Sequence, residues 1–287
     1  MKITNNLGLP QLFMKIAEAD EHRKADISVT ELTKPTQMVM LEATHETEQD
    51  VSDMIKSMLG KGFHKLTEIA DPEGAERYLE IPVNGVILSG TIDRHKPKEG
   101  LIEDLKVTTV AATKMGAKLE WEQQLNVYNY MCMRLGEKPA TRLHIIAVLT
   151  DWSKTKSKLQ SDYPMSPVLV IPLRVWSYDE ARNWVEYQVK EKMGAIRTGI
   201  TQKCSEEERW ATTTEYAVIK IGGKRATAVF VDADAADRAC KEKGAGYMVE
   251  VRPGENRRCN GYCPVVGVCQ QYKDMNNFNV TTNEVDL

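Results

Sequence analysis

The chain has 287 residues, 42% of them hydrophobic and 28% charged, and 38 Lys and Arg against 41 Asp and Glu leave a formal charge of −3. This ordinary globular balance allows a core in one or two domains and excludes a fibrous or disordered chain. A globally basic nucleic-acid binder is excluded too, although a local basic groove and carboxylates that hold a metal are both compatible with near-neutral charge. The longest apolar runs, such as Ile145 to Leu149, fall far short of the roughly 20 residues that cross a bilayer, so no membrane span is expected. The opening MKITNNLGLPQL has neither the apolar stretch nor the cleavage site of a secretory leader, which makes an intracellular chain with reduced thiols the expectation.

From Glu48 to Ala70, apolar residues at Val51, Met54, Ile55, Met58, Leu59, Phe63, Leu66 and Ile69 have the spacing of an amphipathic helix that packs on a sheet. Arg77–Val83 and Val86–Asp93 then flank Asn84-Gly85, the dipeptide that best accepts the positive φ angles of a tight hairpin. Leu101–Val107 follows the turn Lys96–Gly100 as a third strand. Leu119–Leu135 is helical in pattern, Arg142–Thr150 a buried strand, Ser153–Ser161 a mobile basic loop, Pro167–Trp176 a strand and Tyr178–Ile196 a helix. After Gly199 the pattern loosens into short pieces. The organisation expected is an N-terminal segment over 1–48, an α/β core over 49–199, a cysteine-bearing subdomain over 200–275 and a frayed polar tail over 276–287.

The third strand carries Glu103-Asp104-Leu105-Lys106, and strand alternation puts Asp104 and Lys106 on one face. Asp93, at the end of the neighbouring strand, brings a second carboxylate near them. Two carboxylates can hold Mg²⁺ or Mn²⁺, and a lysine beside them can stabilise developing phosphate charge or orient a water. Solvated ion pairing is the bland alternative for such a strand. Gln124 and Tyr128, four residues apart, share one helix face. His64 lies nearly opposite the apolar stripe of its helix, with Gly60 one turn before it, and so is either solvated or turned into a cleft.

The ordered set Gly90-x-x-Asp93, Asp104-x-Lys106 and Gln124-x-x-x-Tyr128, within helix, three strands, helix and strand, resembles the PD-(D/E)xK nuclease superfamily. Its RecB-type exonucleases and CRISPR-adaptation relatives are the most similar branch. The resemblance covers about residues 50 to 150 and implies a restriction-endonuclease-like core. It implies a metal held by His64, Asp93, Asp104 and the backbone carbonyl of Leu105, with Lys106 as catalytic lysine and Gln124 and Tyr128 bordering the site. Relatives usually have Thr directly after the lysine, whereas Val107 separates Lys106 from Thr108 here. The activity implied is a Mg- or Mn-dependent deoxyribonuclease, an exonuclease at DNA ends or on single strands in recombination, repair or replication. DNA and a helicase or recombination partner would be its company, in a prokaryotic or phage-infected cell. A catalytically inactive DNA-binding or assembly protein on the same fold is the alternative.

Cys259, Cys263 and Cys269 lie close together near the C-terminus, with Cys204 upstream as a fourth thiolate, and four thiolates suit zinc or an iron-sulfur cluster. The same relatives carry one remote and three C-terminal cysteines around a four-iron four-sulfur cluster, which this C-terminus resembles. Their remote cysteine commonly precedes the core, whereas Cys204 follows it. Lys154, Lys156 and Lys158 in the basic loop, and Arg257 and Arg258 before the cluster, are candidate phosphate contacts.

Overall fold

The computed structural model describes residues 2–19, 25–114 and 116–282, with the side chains of 277–282 excepted. The chain divides into two compact units, Met1–Ile200 and Thr201–Leu287. Among the described residues no helix is long and apolar enough to cross a membrane.

The first unit runs β1 (Lys2–Thr4), α1 (Gln11–Glu18), β2 (Ile27–Ser28), α2 (Val29–Leu32), α3 (Thr36–Thr44), β3 (Glu48–Asp50) and α4 (Val51–Ala70). It continues through β4 (Ala75–Val83), β5 (Val86–Lys96), β6 (Leu101–Thr108), α5 (Val110–Thr113), α6 (Leu119–Arg134), β7 (Arg142–Leu149), α7 (Lys154–Leu159), β8 (Val168–Leu173) and α8 (Tyr178–Thr198). The mixed α/β arrangement centres on a six-stranded sheet ordered β2-β5-β6-β7-β8, with β4 paired to β5. The β4–β5 hairpin turns at Asn84 and Gly85, whose φ angles of 49° and 82° are the pair a two-residue turn requires. Parallel β6–β7 and antiparallel β7–β8 pairing extend the sheet. Leu88, Ile92, Ile102, Leu125, Leu143 and Ile145 fill its core.

Two helices are fixed by polar side-chain contacts. Asp50 caps α4, accepting from Ser52 N at 3.0 Å and from Asn6 N at 2.6 Å. Buried Asn126 and Asn129 fix α6: Asn126 accepts from Trp176 N at 2.7 Å and donates to the Arg174 carbonyl at 2.9 Å, and Asn129 accepts from Ala140 N at 2.8 Å. Helical geometry puts Gln124 and Tyr128 on a different side of α6 from these two anchors, so the anchors set the direction in which the pair points.

The second unit contains β9 (Glu215–Lys220), β10 (Ala226–Phe230), α9 (Ala233–Lys243), β11 (Tyr247–Arg252), α10 (Arg257–Gly261) and α11 (Gln270–Thr282). Its strands form an antiparallel sheet ordered β10-β9-β11, against which α9 packs.

Three local expectations change. The stretch after Ser153 is a short helix, α7, because the Ser153 side chain caps it and Ser157 is buried. The apolar stripe of α4 is not the face turned to the sheet: Val51 is buried, whereas Leu59, Leu66 and Ile69 are exposed, and it is the opposite face, with Gly60, Lys61 and His64, that lines a cleft against Leu105 and Lys106 of β6. The helix α11 runs past the expected start of a polar tail to Thr282, and residues 283–287 lie outside the described residues.

Candidate active site

One edge of β5 is divided between two partners. Leu88 and Ser89 pair with β2, while Arg94, His95 and Lys96 pair with Glu103, Ile102 and Leu101 of β6. Continuing that register by one step would set Asp93 opposite Asp104, but the ladder has ended and the strands part. Asp93 replaces the missing bond with its side chain, accepting from Leu105 N at 2.8 Å. The stretch Gly90–Asp93 therefore sits at a split in the sheet.

Asp104 is 1% exposed. Lys106 Nζ approaches its Oδ2 to 2.7 Å as an ion pair, yet neither Asp104 oxygen accepts a hydrogen bond of good geometry among the described residues. Burial above all, with Asp93 adding repulsion, pushes the Asp104 carboxyl above the usual carboxylate range against the opposing pull of Lys106. Lys106 Nζ also donates to Gln124 Oε1 at 3.2 Å, and Gln124 Nε2 to Tyr128 Oη at 3.4 Å. Burial raises the pKa of the Tyr128 phenol, which keeps it protonated. Gly90 makes room for that ring, since a Cβ there would lie 2.6 Å from Tyr128 Cε1. The glycine of the motif is thus a close-packing requirement.

From α4, His64 Nδ1 reaches Asp93 Oδ1 at 3.4 Å and Glu76 Oε1 at 3.4 Å. The hydrogen bond to Asp93 raises the His64 pKa, and burial, then Asp93, raises that of Glu76. Glu76 was not among the residues singled out from the sequence. Its φ of 52° is in the left-handed region, which costs a non-glycine residue on the order of 1–3 kcal/mol and is common where a side chain is aimed at a site. Arg94 holds this wall together by bonding Asp71, at the C-terminus of α4, at 2.6 Å and Glu103 at 2.8 Å.

The donor set fits a divalent cation. One ligand atom each from His64, Glu76 and Asp93 lies within 4.8 Å of the others. Beside them, the two Asp104 oxygens are desolvated with only the poorly aligned Lys106 ammonium against them, an arrangement that a cation would satisfy. An imidazole in the set favours Mn²⁺ relative to an all-oxygen site.

The remaining candidates lie elsewhere. Lys154, Lys156 and Lys158 are exposed on α7, and Lys156 lies 5.9 Å from the Tyr163 ring. In the second unit Arg257 is exposed, while the Arg258 guanidinium lies over the Trp210 ring at 4.2 Å. Cys204, Cys259, Cys263 and Cys269 share that unit. Burial pushes the Cys204 thiol up to about 12, with Glu208 and the other three cysteines adding to the shift. Gln271 ties Cys204 to the start of α11, accepting from its N at 2.9 Å and donating to its carbonyl at 2.8 Å.

Residues 13–270 match the sequence model of the PD-(D/E)XK nuclease superfamily, and the chain belongs to that superfamily. Among solved structures, one described as SSO0001 is similar over 62% of this chain and 84% of its own, at 14% identity and a TM-score of 0.42. No curated protein matches the chain.

Proposed function

We propose that the protein is a Mg- or Mn-dependent deoxyribonuclease of the RecB-type branch, acting as an exonuclease at DNA ends or on single strands in recombination, repair or replication. The observation that carries this reading is the split between β5 and β6, where the oxygens of buried Asp104 are met by the Lys106 ammonium alone and without good hydrogen-bond geometry, and Asp93 stands beside it. The ligands would be His64, Asp93, Asp104, the Leu105 carbonyl and also Glu76. A bound divalent cation supplies charge neutralisation at the scissile phosphate and makes a water more acidic.

This chain's own groups do the rest. Lys106 directs its ammonium at the phosphate and the attacking water, where it stabilises the charge that develops. Gln124 holds Lys106 through Oε1, and Tyr128 braces Gln124. Water adds across one P–O bond, leaving a 5′-phosphate and a 3′-hydroxyl. The presence of Asp93, Asp104 and Lys106 together favours catalysis over an inactive assembly role, since a degenerate site would lose at least one of them. These 287 residues contain no helicase phosphate loop of the G-x-x-x-x-G-K-S/T type.

Linear end-labelled DNA and a covalently closed circle, incubated with Mn²⁺ or Mg²⁺, test this reading. The expected result is loss of the linear substrate with the circle intact. Equal cleavage of both would replace exonuclease with endonuclease.

Cys204, Cys259, Cys263 and Cys269 hold an iron-sulfur cluster in this reading, and the support is their presence in one small unit, where they are partly buried or buried and a metal would take up thiolates that the surroundings alone disfavour. Iron and sulfide analysis of protein purified without air tests it. Stoichiometric zinc without iron would assign the site to zinc instead.

A further inference from the structure

The face of α4 that carries His64 also carries basic residues that the catalytic role does not account for. Lys56, Ser57, Gly60, Lys61 and Lys65 line one cleft with His64, which helical geometry sets midway between Lys56 on one edge of this face and Lys61 and Lys65 on the other. This face is one wall of the cleft, of about 680 Å³, whose opposite wall is Leu105, Lys106 and Val107 of β6. On the other side of the catalytic groups lies a second cleft of about 840 Å³, bordered by Ser28, Thr30, Lys34 and Tyr78. His64, Asp93 and Lys106 line both clefts. A small phosphate ester needs one such cavity, whereas a chain substrate needs room on each side of the bond that breaks.

Two glycines interrupt this 20-residue helix, and each weakens a helix interior by about 1 kcal/mol relative to alanine. Packing does not demand them, because a Cβ at Gly60 or at Gly62 would meet nothing within 4 Å. They differ in position: Gly60 lines the cleft beside His64, and Gly62 is exposed outside it. A glycine on the cleft side lets a strand backbone come close to the helix. Lys61 and Lys65, one turn apart on the same edge, are separated by about 6 Å along the axis at 1.5 Å per residue, a spacing suited to successive phosphates of one strand, while Lys56 stands about 7.5 Å along the axis from Lys61 on the opposite edge of the cleft wall. Lys65 already bonds Glu68 at 2.7 Å, but that pair is exposed and such pairs contribute little, so a phosphate can compete for the ammonium.

We infer that this face of α4 is the track on which the sugar-phosphate backbone of one nucleic-acid strand lies as it reaches the metal site. Lys56, Lys61 and Lys65 contact phosphates, and Gly60 provides clearance. The inference rests on the nuclease reading above and adds a strand path that the catalytic residues do not define.

The test uses the full chain with a single-stranded oligonucleotide as probe. Affinity is measured across a salt series in Ca²⁺, and steady-state cleavage in Mn²⁺. For Lys56→Ala/Lys61→Ala/Lys65→Ala, the slope of log affinity against log salt falls by about 2 to 3, at roughly 0.7 to 0.9 for each phosphate that a lysine no longer neutralises, and KM rises at least about tenfold with most of the loss in KM. A second pair of variants separates the track from helix stability. Gly60→Ala and Gly62→Ala both raise the melting temperature, and only Gly60→Ala raises KM. An unchanged salt slope in the triple variant, or equal KM for the two alanine variants, overturns the track while leaving the nuclease reading standing. A wild-type protein that neither binds nor cleaves DNA overturns both.

Discussion

Strand β5 carries residues of two clusters that combine a histidine with anionic or thiol groups. Asp93 belongs to one, with His64 and Glu76; His95, two residues on, belongs to the other, with Cys132 and Glu137. Both gather metal-capable donors within 4.8 Å, yet their charge balance differs. In the second cluster the cation is supplied by the chain: Arg77 grips both oxygens of Glu137 and donates to His95 Nδ1 at 2.8 Å. In the first, Lys106 reaches Asp104 without a hydrogen bond of good geometry, while His64 stands between Asp93 and Glu76, so three carboxylates share one ammonium and one imidazole. A cluster completed by its own guanidinium is a structural brace. One with surplus carboxylates in a cleft is arranged to receive a cation from outside, and residue types alone do not distinguish the two.

The sharpest way to break this contrast is Lys106→Ala. Its ammonium acts on charge that develops during reaction, so cleavage should fall at least about a hundredfold, the range seen when one such stabilising group is removed. Circular dichroism and melting should show a folded protein. A loss under tenfold, about 1.4 kcal/mol of barrier, would remove Lys106 from catalysis.

Next in size is Glu76→Gln, which keeps the shape of the side chain and removes its charge. Mn²⁺ affinity measured by calorimetry should weaken about tenfold or more, comparable to the loss of a group that supports a ligand. Unchanged affinity would leave Glu76 as a strained bystander.

The smallest effects belong to the brace. Arg77→Met should lower stability by about 1 kcal/mol, since the pair is partly exposed, and leave kcat unchanged. The pH response follows from opposite shifts of the two histidines. Burial first, then Arg77, lowers the His95 pKa from 6.5, so its folded form favours the neutral ring. That contribution to stability is present above 6.5 and is lost as pH falls through 6.5 toward the lower folded value. His64 is shifted upward by Asp93. Proton NMR of the metal-free protein should show His95 titrating below the ordinary range and His64 above it. Asp93→Asn should remove the His64 shift alone, and titration of the two at one pH would contradict the assigned environments.

The parts legible in the sequence were those with local causes. Asn84-Gly85 fixed the hairpin because its backbone angles favour few residues, and alternation put Asp104 with Lys106 because a strand has period two. His64 could be placed off the apolar stripe by helical spacing. Glu76 could not be found this way, since its direction comes from a left-handed backbone at the start of β4 that no period marks. The helix α3 was hidden because Met38, Val39, Met40 and Leu41 are all buried, which leaves no amphipathic contrast. The role of Arg77 was also invisible, because Glu137 lies 60 residues away in the chain. Short strands with exposed residues, such as β10, concealed the sheet of the second unit.

The most direct test of the metal-site claim is cleavage of a linear end-labelled DNA by wild type and Asp104→Asn, with Mn²⁺ and with the metal removed by chelation. Wild-type cleavage should require the metal and return when it is restored. Cleavage should be lost in Asp104→Asn, while that variant melts no lower than wild type in the metal-free state, because burial disfavours the Asp104 charge and Lys106, partly exposed, can be solvated once its partner is neutral. Cleavage at the wild-type rate after chelation, or undiminished in Asp104→Asn, would contradict it.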